Sequence, residues 1–293
     1  MSNTVLRPVS EEIAELGEGA RWDAAGGELL WVDITAGVLR RAVEDGPGLR
    51  TVARYEIGEP LGAAAPLADG DGWLLAAARG FRHLRRDGTV TALLDTEPAD
   101  VRMNDAACDP DGRFWAGSMA YDQRAGAGRL LRCDLDGTVE VVLPSADIAN
   151  GLGWSPDGRT MYHADSGRGV VTAYADGGAS VLVEPDRGAP DGLTVDAEGA
   201  LWVALHGAGE VRRYSPAGET LSVWPLPTSQ PTSVAIGGAS GRRLFVTTSW
   251  ENMSDRQRAA EPEAGRVFAA DDAGVGAPPV RPYRGRLPVR LRD

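Results

Sequence analysis

The chain has 293 residues, of which 43% are hydrophobic and 25% are charged, and its formal net charge is −12 at pH 7. This composition can bury a large core, and an all-β fold of this length is commonly one domain. The acidic balance argues against sequence-independent binding to nucleic acid, which needs clustered positive charge. Because no apolar run is long enough to span a membrane and no signal-peptide pattern is present, we expect a soluble, cytoplasmic protein.

Composition also excludes several kinds of chemistry. The chain contains no lysine, so neither Schiff-base catalysis nor a phosphate-binding P-loop lysine is available. No GxSxG motif is present, which removes the usual nucleophile elbow of serine hydrolases. Cys108 and Cys133 lack CxxC spacing, and we expect both to be small buried hydrophobic residues.

One sequence pattern occurs six times along the chain. Each copy is a short polar turn containing glycine, followed by strand-forming residues that usually include an aromatic. Aligned positions of the six copies are Trp31, Leu74, Trp115, Tyr162, Trp202 and Phe245. Their spacing of about 40 to 47 residues is typical of propeller blades. A second strand pair with a glycine-containing turn follows each copy, so the sequence predicts an all-β, six-bladed β-propeller with four-stranded antiparallel blades.

The two ends of the chain are irregular in this scheme. The sixth copy lacks a clear fourth strand before a proline-rich tail, whereas the segment VLRPVSEEIAEL before Glu18 contains an unassigned strand. We therefore expect the N-terminal segment to supply the outer strand of the last blade. In this interpretation residues 1–293 form a single propeller domain.

Polar residues recur at the start of the innermost strands. In a propeller the first strand of each blade lines the central channel, so equivalent positions converge near the axis. The residues five positions before the polar turns are Glu18, Asn104, Asn150, Asp191 and Thr232, whereas the second blade offers Ala63 or Ala64. Asn and Asp are depleted in strands. They could simply be turn residues, but their recurrence at one level favours oxygen ligands for one divalent cation: Ca²⁺, Mg²⁺, Mn²⁺, Zn²⁺ or Fe²⁺.

Several motifs resemble those of a known family in the correct order. They are LGEGARWD, RMNDAACDPDGRFWAGSM, NGLGWSPDGRTMYHADS and PDGLTVDAEGALWVA. They resemble the senescence-marker-protein/gluconolactonase family, the regucalcin-like sugar lactonases, from Leu16 to Phe268. The resemblance implies an axial metal held by Glu18, Asn150 and Asp191. It further implies a substrate site formed by Arg102, Asn104 and Asp122, the last standing where the family has Glu.

These features together predict metal-dependent hydrolysis of a sugar (aldono-) lactone to the aldonic acid. The cation would polarise the lactone carbonyl, and Asp191 is the candidate base. Two alternatives stay open: a phosphotriesterase-like hydrolase that uses the same axial metal, and a non-enzymatic metal-binding propeller module. A small-molecule sugar lactone is the expected partner, with neither nucleic acid nor membrane. The segment Trp250–Asn252 is a further candidate border of the pocket.

Overall fold

Residues 5–276 and 281–292 are described by a computed structural model, and they form six sheets, each built on four antiparallel strands. The strands of the first two blades are β2 (Gly17–Asp23), β3 (Glu28–Asp33), β4 (Val38–Asp45) and β5 (Gly48–Glu56), then β6 (Leu61–Pro66), β7 (Trp73–Ala77), β8 (Gly80–Leu84) and β9 (Val90–Asp95). Those of the third and fourth are β10 (Val101–Cys108), β11 (Phe114–Ala120), β12 (Gly128–Cys133) and β13 (Thr138–Ala146), then β14 (Ala149–Trp154), β15 (Met161–Asp165), β16 (Val170–Ala175) and β17 (Gly178–Val183).

The fifth blade is continuous in sequence, whereas the sixth includes a strand from the N-terminal segment. The fifth consists of β18 (Ala189–Val195), β19 (Leu201–His206), β20 (Glu210–Tyr214) and β21 (Thr220–Pro225). The sixth consists of β22 (Pro231–Gly237), β23 (Arg243–Thr248), β24 (Phe268–Ala270) and β1 (Arg7–Pro8), with β1 on the outside of β24. The helix α1 (Asp255–Ala260) lies between β23 and β24, and no described helix is long and apolar enough to cross a membrane.

The six sheets close into a ring around the innermost strands. Each innermost strand contacts the next one, and β22 of the last blade contacts β2 of the first. The core consists of apolar clusters in which buried side chains of neighbouring blades meet. This arrangement confirms the predicted six-bladed propeller of four-stranded antiparallel sheets.

The recurrent turn sequence has a physical cause that is clearest in the third and fifth blades. Asp109 and Asp196 are almost fully buried. One carboxylate oxygen of each accepts backbone N–H groups of its own turn, and the other accepts the indole Nε1–H of Trp115 or Trp202, at 2.8 and 2.9 Å. The aspartate thus fixes the turn and the second strand at once, which explains why acid, glycine and tryptophan recur at constant spacing.

The C-terminal segment crosses the end of the ring at which the innermost strands finish. Tyr283 is buried and forms backbone hydrogen bonds with the second blade, while its hydroxyl lies 3.0 Å from the carbonyl oxygen of Asp134 in the third blade. Strand β25 (Arg290–Leu291) then adds to the outside of β13 in parallel orientation. We call residues 281–292 the strap. Next to it, on the axis, lies a cavity of about 130 Å³ whose lining includes Arg21 and Arg281.

Candidate metal and substrate site

The predicted site lies where the innermost strands are interrupted. Pairing with the second strand breaks between Met103 and Ala106, Ala149 and Leu152, Pro190 and Leu193, and Pro231 and Val234. The first unpaired residues are therefore Asn104, Asn150, Asp191 and Thr232. Because bulges turn side chains out of the regular alternation, they bring these polar groups to one level of the axis. The sequence pattern identified this level without revealing the bulges.

The first blade departs from that pattern by one residue. Glu18 still pairs with Val32, and the break falls between Glu18 and Arg21. The carboxylate of Glu18 nevertheless reaches the axis, where its Oε2 accepts the N–H of Gly19 at 2.8 Å. Thr232 is not available as a ligand in the same way, because its hydroxyl is hydrogen-bonded to the carbonyl of Gly17 and to the hydroxyl of Thr247.

Two glycines allow the bulged backbones to approach one another. A Cβ atom on Gly62 would lie 1.9 Å from the carbonyl oxygen of Asn104, and one on Gly151 would lie 2.6 Å from the carbonyl oxygen of Asp191. Both distances are shorter than any real contact, so a side chain at either position would push neighbouring blades apart. The small residues at the axis are therefore part of the construction of the site.

Glu18, Asn150 and Asp191 converge on the axis and are buried. The carboxyl of Asp191 lies close to both the Glu18 carboxyl and the Asn150 amide. Burial raises the pKa of Asp191 to about 8. Burial likewise raises the pKa of Glu18 well above its ordinary value, and the charges of Asp191 and Asp105 add to the effect. Two carboxyls at such short range cannot both ionise cheaply without a cation.

The hydrogen bonds around Asn150 leave oxygen atoms facing the axis without donors. Asn150 Nδ2 donates to Ser166 Oγ at 3.0 Å, and Ser166 Oγ donates to the carbonyl of Pro190 at 2.7 Å. Asn150 Oδ1 and Asp191 Oδ1 are buried, and neither has a hydrogen-bond partner among the described residues. Unpartnered carboxylate and amide oxygens suit a hard divalent cation. In residues 5–276 and 281–292 no group of three or more His, Cys, Asp or Glu side chains is arranged for a metal.

Arg102 and Asn104 form a rigid pair beside these acids. Arg102 Nη1 donates to Asn104 Oδ1 at 2.7 Å and to the carbonyl of Met103 at 3.0 Å. Asn104 Nδ2 donates to the carbonyl of Ala149, also at 3.0 Å, which links the third blade to the fourth. Burial lowers the pKa of Arg102, and the carboxylates of Glu251, Glu18 and Asp191 oppose that shift.

Asp122 is the predicted site residue that the structure does not bring to this cluster. Its side chain is 63% exposed and accepts a hydrogen bond of 2.9 Å from Arg124 Nη1. Arg124 also forms an ion pair with Asp100, so the carboxylate of Asp122 belongs to a surface network. Asp122 forms no hydrogen bond to Arg102 or Asn104 within the described part of the chain.

Of two further acids near the site, Asp105 has no role assigned from the sequence, and Glu251 is named only within the candidate border Trp250–Asn252. Asp105 follows Asn104 in the same bulge. Burial raises the pKa of Asp105 to about 6, although the hydrogen bond from the N–H of Ala106 and the charge of Arg21 both lower it. Glu251 is half-buried, and its raised pKa results from burial, opposed by Arg102. The motif RMND contains the signal for Asp105, since both residues of a bulge leave the ladder. Glu251 comes from an irregular segment outside the repeats, so its position could not be obtained by counting from a repeated turn.

The fold and these side chains define a class of protein: a six-bladed β-propeller with an acidic, oxygen-rich site on its axis and an arginine beside it. A family model described as SMP-30/Gluconolactonase/LRE-like region matches residues 16–250. The chain belongs to this family.

Individual relatives agree with that assignment. The chain is 39% identical to an L-arabinolactonase of Azospirillum brasilense, over 89% of this chain and 90% of the relative. It is 35% identical to a 6-deoxy-6-sulfogluconolactonase of Pseudomonas putida, over 91% and 94% of the two chains. Among solved structures, a calcium-binding regucalcin from Agrobacterium tumefaciens superposes with a TM-score of 0.88 at 27% identity, covering 96% of this chain and 98% of the other.

Proposed function

We propose that this protein hydrolyses a sugar lactone to the corresponding aldonic acid at the axial site, with the help of one divalent cation. The enzyme class follows from the family and from the lactonase relatives: the chain is a lactonase. The observation that carries the site assignment is the pair of buried acceptor oxygens, Asn150 Oδ1 and Asp191 Oδ1, that lack donors beside Glu18.

Glu18, Asn150 and Asp191 would hold the cation, and their oxygens fit its preferences. A bound divalent cation supplies Lewis-acid polarisation of the lactone carbonyl and lowers the pKa of water. A solved relative is described as calcium-binding, which supports a divalent metal without fixing its identity here.

Asp191 is the proposed general base. A carboxyl on the axis can accept a proton from the water that attacks the lactone carbonyl, while the Glu18 carboxyl beside it stays in place as a ligand. The new C–O bond forms first and gives a tetrahedral intermediate. The ring C–O bond then breaks and the proton passes to the departing ring oxygen, so the products are a carboxylic acid and a free hydroxyl. Burial favours the protonated acid. The ionised carboxylate of Asp191, which is the form that can act as a base, would be favoured by a cation beside it.

Arg102 and Asn104 are the proposed substrate-positioning groups. Asn104 is fixed by hydrogen bonds at both ends of its amide, and it in turn holds Arg102 Nη1. The planar guanidinium therefore presents its other N–H groups in a constant direction toward hydroxyl or carbonyl oxygens of the lactone. Asp122 contributes to this site only if it leaves its ion pair with Arg124.

The test is hydrolysis of a panel of aldonolactones and one phosphotriester, each corrected for spontaneous reaction. We expect lactone hydrolysis that a chelator abolishes and a divalent cation restores. Asp191→Asn and Glu18→Gln should each lower kcat/KM by about a hundredfold or more. Leu6→Val, in the apolar core between the fifth and sixth blades, is the control for activity lost during purification of a variant.

Each other outcome favours a different function. Turnover at the wild-type level in both axial variants contradicts the assignment of the site. Chelator-sensitive turnover of the phosphotriester alone favours the phosphotriesterase reading. No turnover of any substrate, with or without chelator, favours a non-enzymatic propeller.

A further inference from the structure

The segment between β23 and β24 anchors the backbone of Glu251 close to the strand that carries Glu18. The amide N–H groups of Trp250 and Glu251 both donate to the carbonyl oxygen of Glu15, at 3.0 and 3.1 Å, and Ser249 Oγ donates to the same oxygen at 2.9 Å. Glu15 precedes Glu18 by three residues of extended chain, which spans about 10 Å. The backbone of Glu251 is therefore anchored at the end of the axis where the innermost strands begin.

Several contacts hold the segment between β23 and β24 in place. Ser254 and Gln257 form a capping box at the start of α1, and the guanidinium of Arg258 lies 3.9 Å from the ring centroid of Trp250. Glu261 accepts hydrogen bonds from the hydroxyl and amide groups of Thr228 and Ser229. These contacts order the segment on both sides of Glu251, so its carboxylate has a defined place rather than the freedom of an open loop.

Arg102 and Glu251 carry opposite, interacting charges near the end of the axis where the innermost strands begin, here called the mouth of the site. Arg102 interacts with the charge of Glu251 as well as with those of Glu18 and Asp191. No ion pair within 4.0 Å joins Arg102 to Glu251 in the described ranges, although Arg124 and Asp122 do form such a pair. The two side chains thus interact through their charges without a direct contact, so both charges would act on a substituent of a substrate bound beside Arg102.

We propose that Glu251 determines specificity by disfavouring lactones with an anionic substituent, so that the preferred substrates are neutral polyhydroxylated lactones. This inference rests on the proposed lactonase site. Arg102 alone would attract an anionic group, and Glu251 offsets that attraction at the mouth. At a separation of about 6 Å and an intermediate dielectric constant, one carboxylate changes the binding of a charged substituent by about tenfold.

The test compares two lactones that differ only in charge at C6: glucono-γ-lactone, with a hydroxymethyl group, and glucaro-γ-lactone, with a carboxylate. Glu251→Gln should raise kcat/KM for the glucarolactone by about tenfold and change that for the gluconolactone by less than about threefold. Glu251→Asp, which keeps the charge, should retain the wild-type preference. Raising the salt concentration should weaken the preference in the wild type and have little effect in Glu251→Gln.

Asp255→Asn is the matched control. It removes the same charge from the same segment, four residues further along at the start of α1. We expect it to leave the ratio of the two kcat/KM values unchanged. An equal shift in Asp255→Asn, or an unchanged ratio in Glu251→Gln, overturns the proposal while leaving lactone hydrolysis intact. Failure of the wild type to hydrolyse any lactone of the aldonolactone panel overturns the proposed function and this inference together.

Discussion

At the residue scale, the axial acids link metal binding to stability. Burial raises the pKa of Asp191 to about 8 and also raises that of Glu18. A carboxyl whose pKa is higher in the folded state than in the unfolded state stabilises the fold at low pH. That contribution declines above the unfolded pKa and is lost as pH rises through the folded pKa. The metal-free protein should therefore lose stability between about pH 4 and about pH 8, and a divalent cation should restore it.

The measurement is the melting temperature across this pH range, with a chelator and with an added divalent cation. The stabilisation by the cation should be largest at the alkaline end. Asp191→Asn should flatten the pH dependence of the chelated protein, because the amide does not titrate. A melting temperature of the chelated wild type that does not vary with pH contradicts this expectation.

At the element scale, β1 contributes to the last sheet from the other end of the chain. Arg7 pairs with Ala269, and Val9 continues the contact through hydrogen bonds of 2.8 Å to Val267 and to Leu49 in the first blade. Deleting the residues up to Ser10 should lower the melting temperature by about 5 to 10 °C, since it removes these bonds and buried apolar surface.

Two point variants compare a buried and an exposed side chain just before β1. Leu6 is 3% exposed and packs in the core between the fifth and sixth blades, whereas Val5 is 63% exposed. Leu6→Ala should reproduce part of the loss, and Val5→Ala should have little effect. Equal effects of the two substitutions, or an unchanged melt after the deletion, would exclude a stabilising role for this edge.

The elements also explain how far the sequence alone could lead. The blades were predictable because a local interaction, such as that between Asp196 and Trp202, leaves a constant spacing in the chain. The axial level was predictable because the bulges fall at nearly the same place in each blade. The position of Asp122 was not, because it depends on a surface ion pair with Arg124. Glu251 could be named only as part of the candidate border Trp250–Asn252, since long-range contacts with Glu15 set its position.

At the scale of the whole molecule, the strap connects blades that the ring holds only side by side. Tyr283 contacts the second and third blades, and β25 extends the third. Removing the residues from Arg281 onward should lower the melting temperature by about 5 °C or more, because a buried tyrosine and several backbone hydrogen bonds are lost. Below the melting temperature, kcat/KM should stay within about threefold of wild type, since the strap lies at the opposite end of the axis from Glu18.

Differential scanning calorimetry measures the melting temperature of the truncated protein, and lactone assays on the same preparation measure its kcat/KM. Tyr283→Phe is the graded variant, because it removes the hydroxyl contacts to Cys133 and Asp134 and keeps the buried ring. We expect its melting temperature to lie between those of the wild type and the truncated protein. A truncated protein that melts like the wild type would show that the strap adds no stability.

The pairing of β1 with β24 has a consequence for biosynthesis. Arg7 is synthesised 262 residues before its partner Ala269. At about 5 to 20 residues per second, the ribosome needs on the order of tens of seconds to produce the partner strand. Throughout that interval the early blades can assemble only as an open arc with exposed strand edges. Protection of the nascent chain by chaperones therefore matters most just before the last sheet is complete.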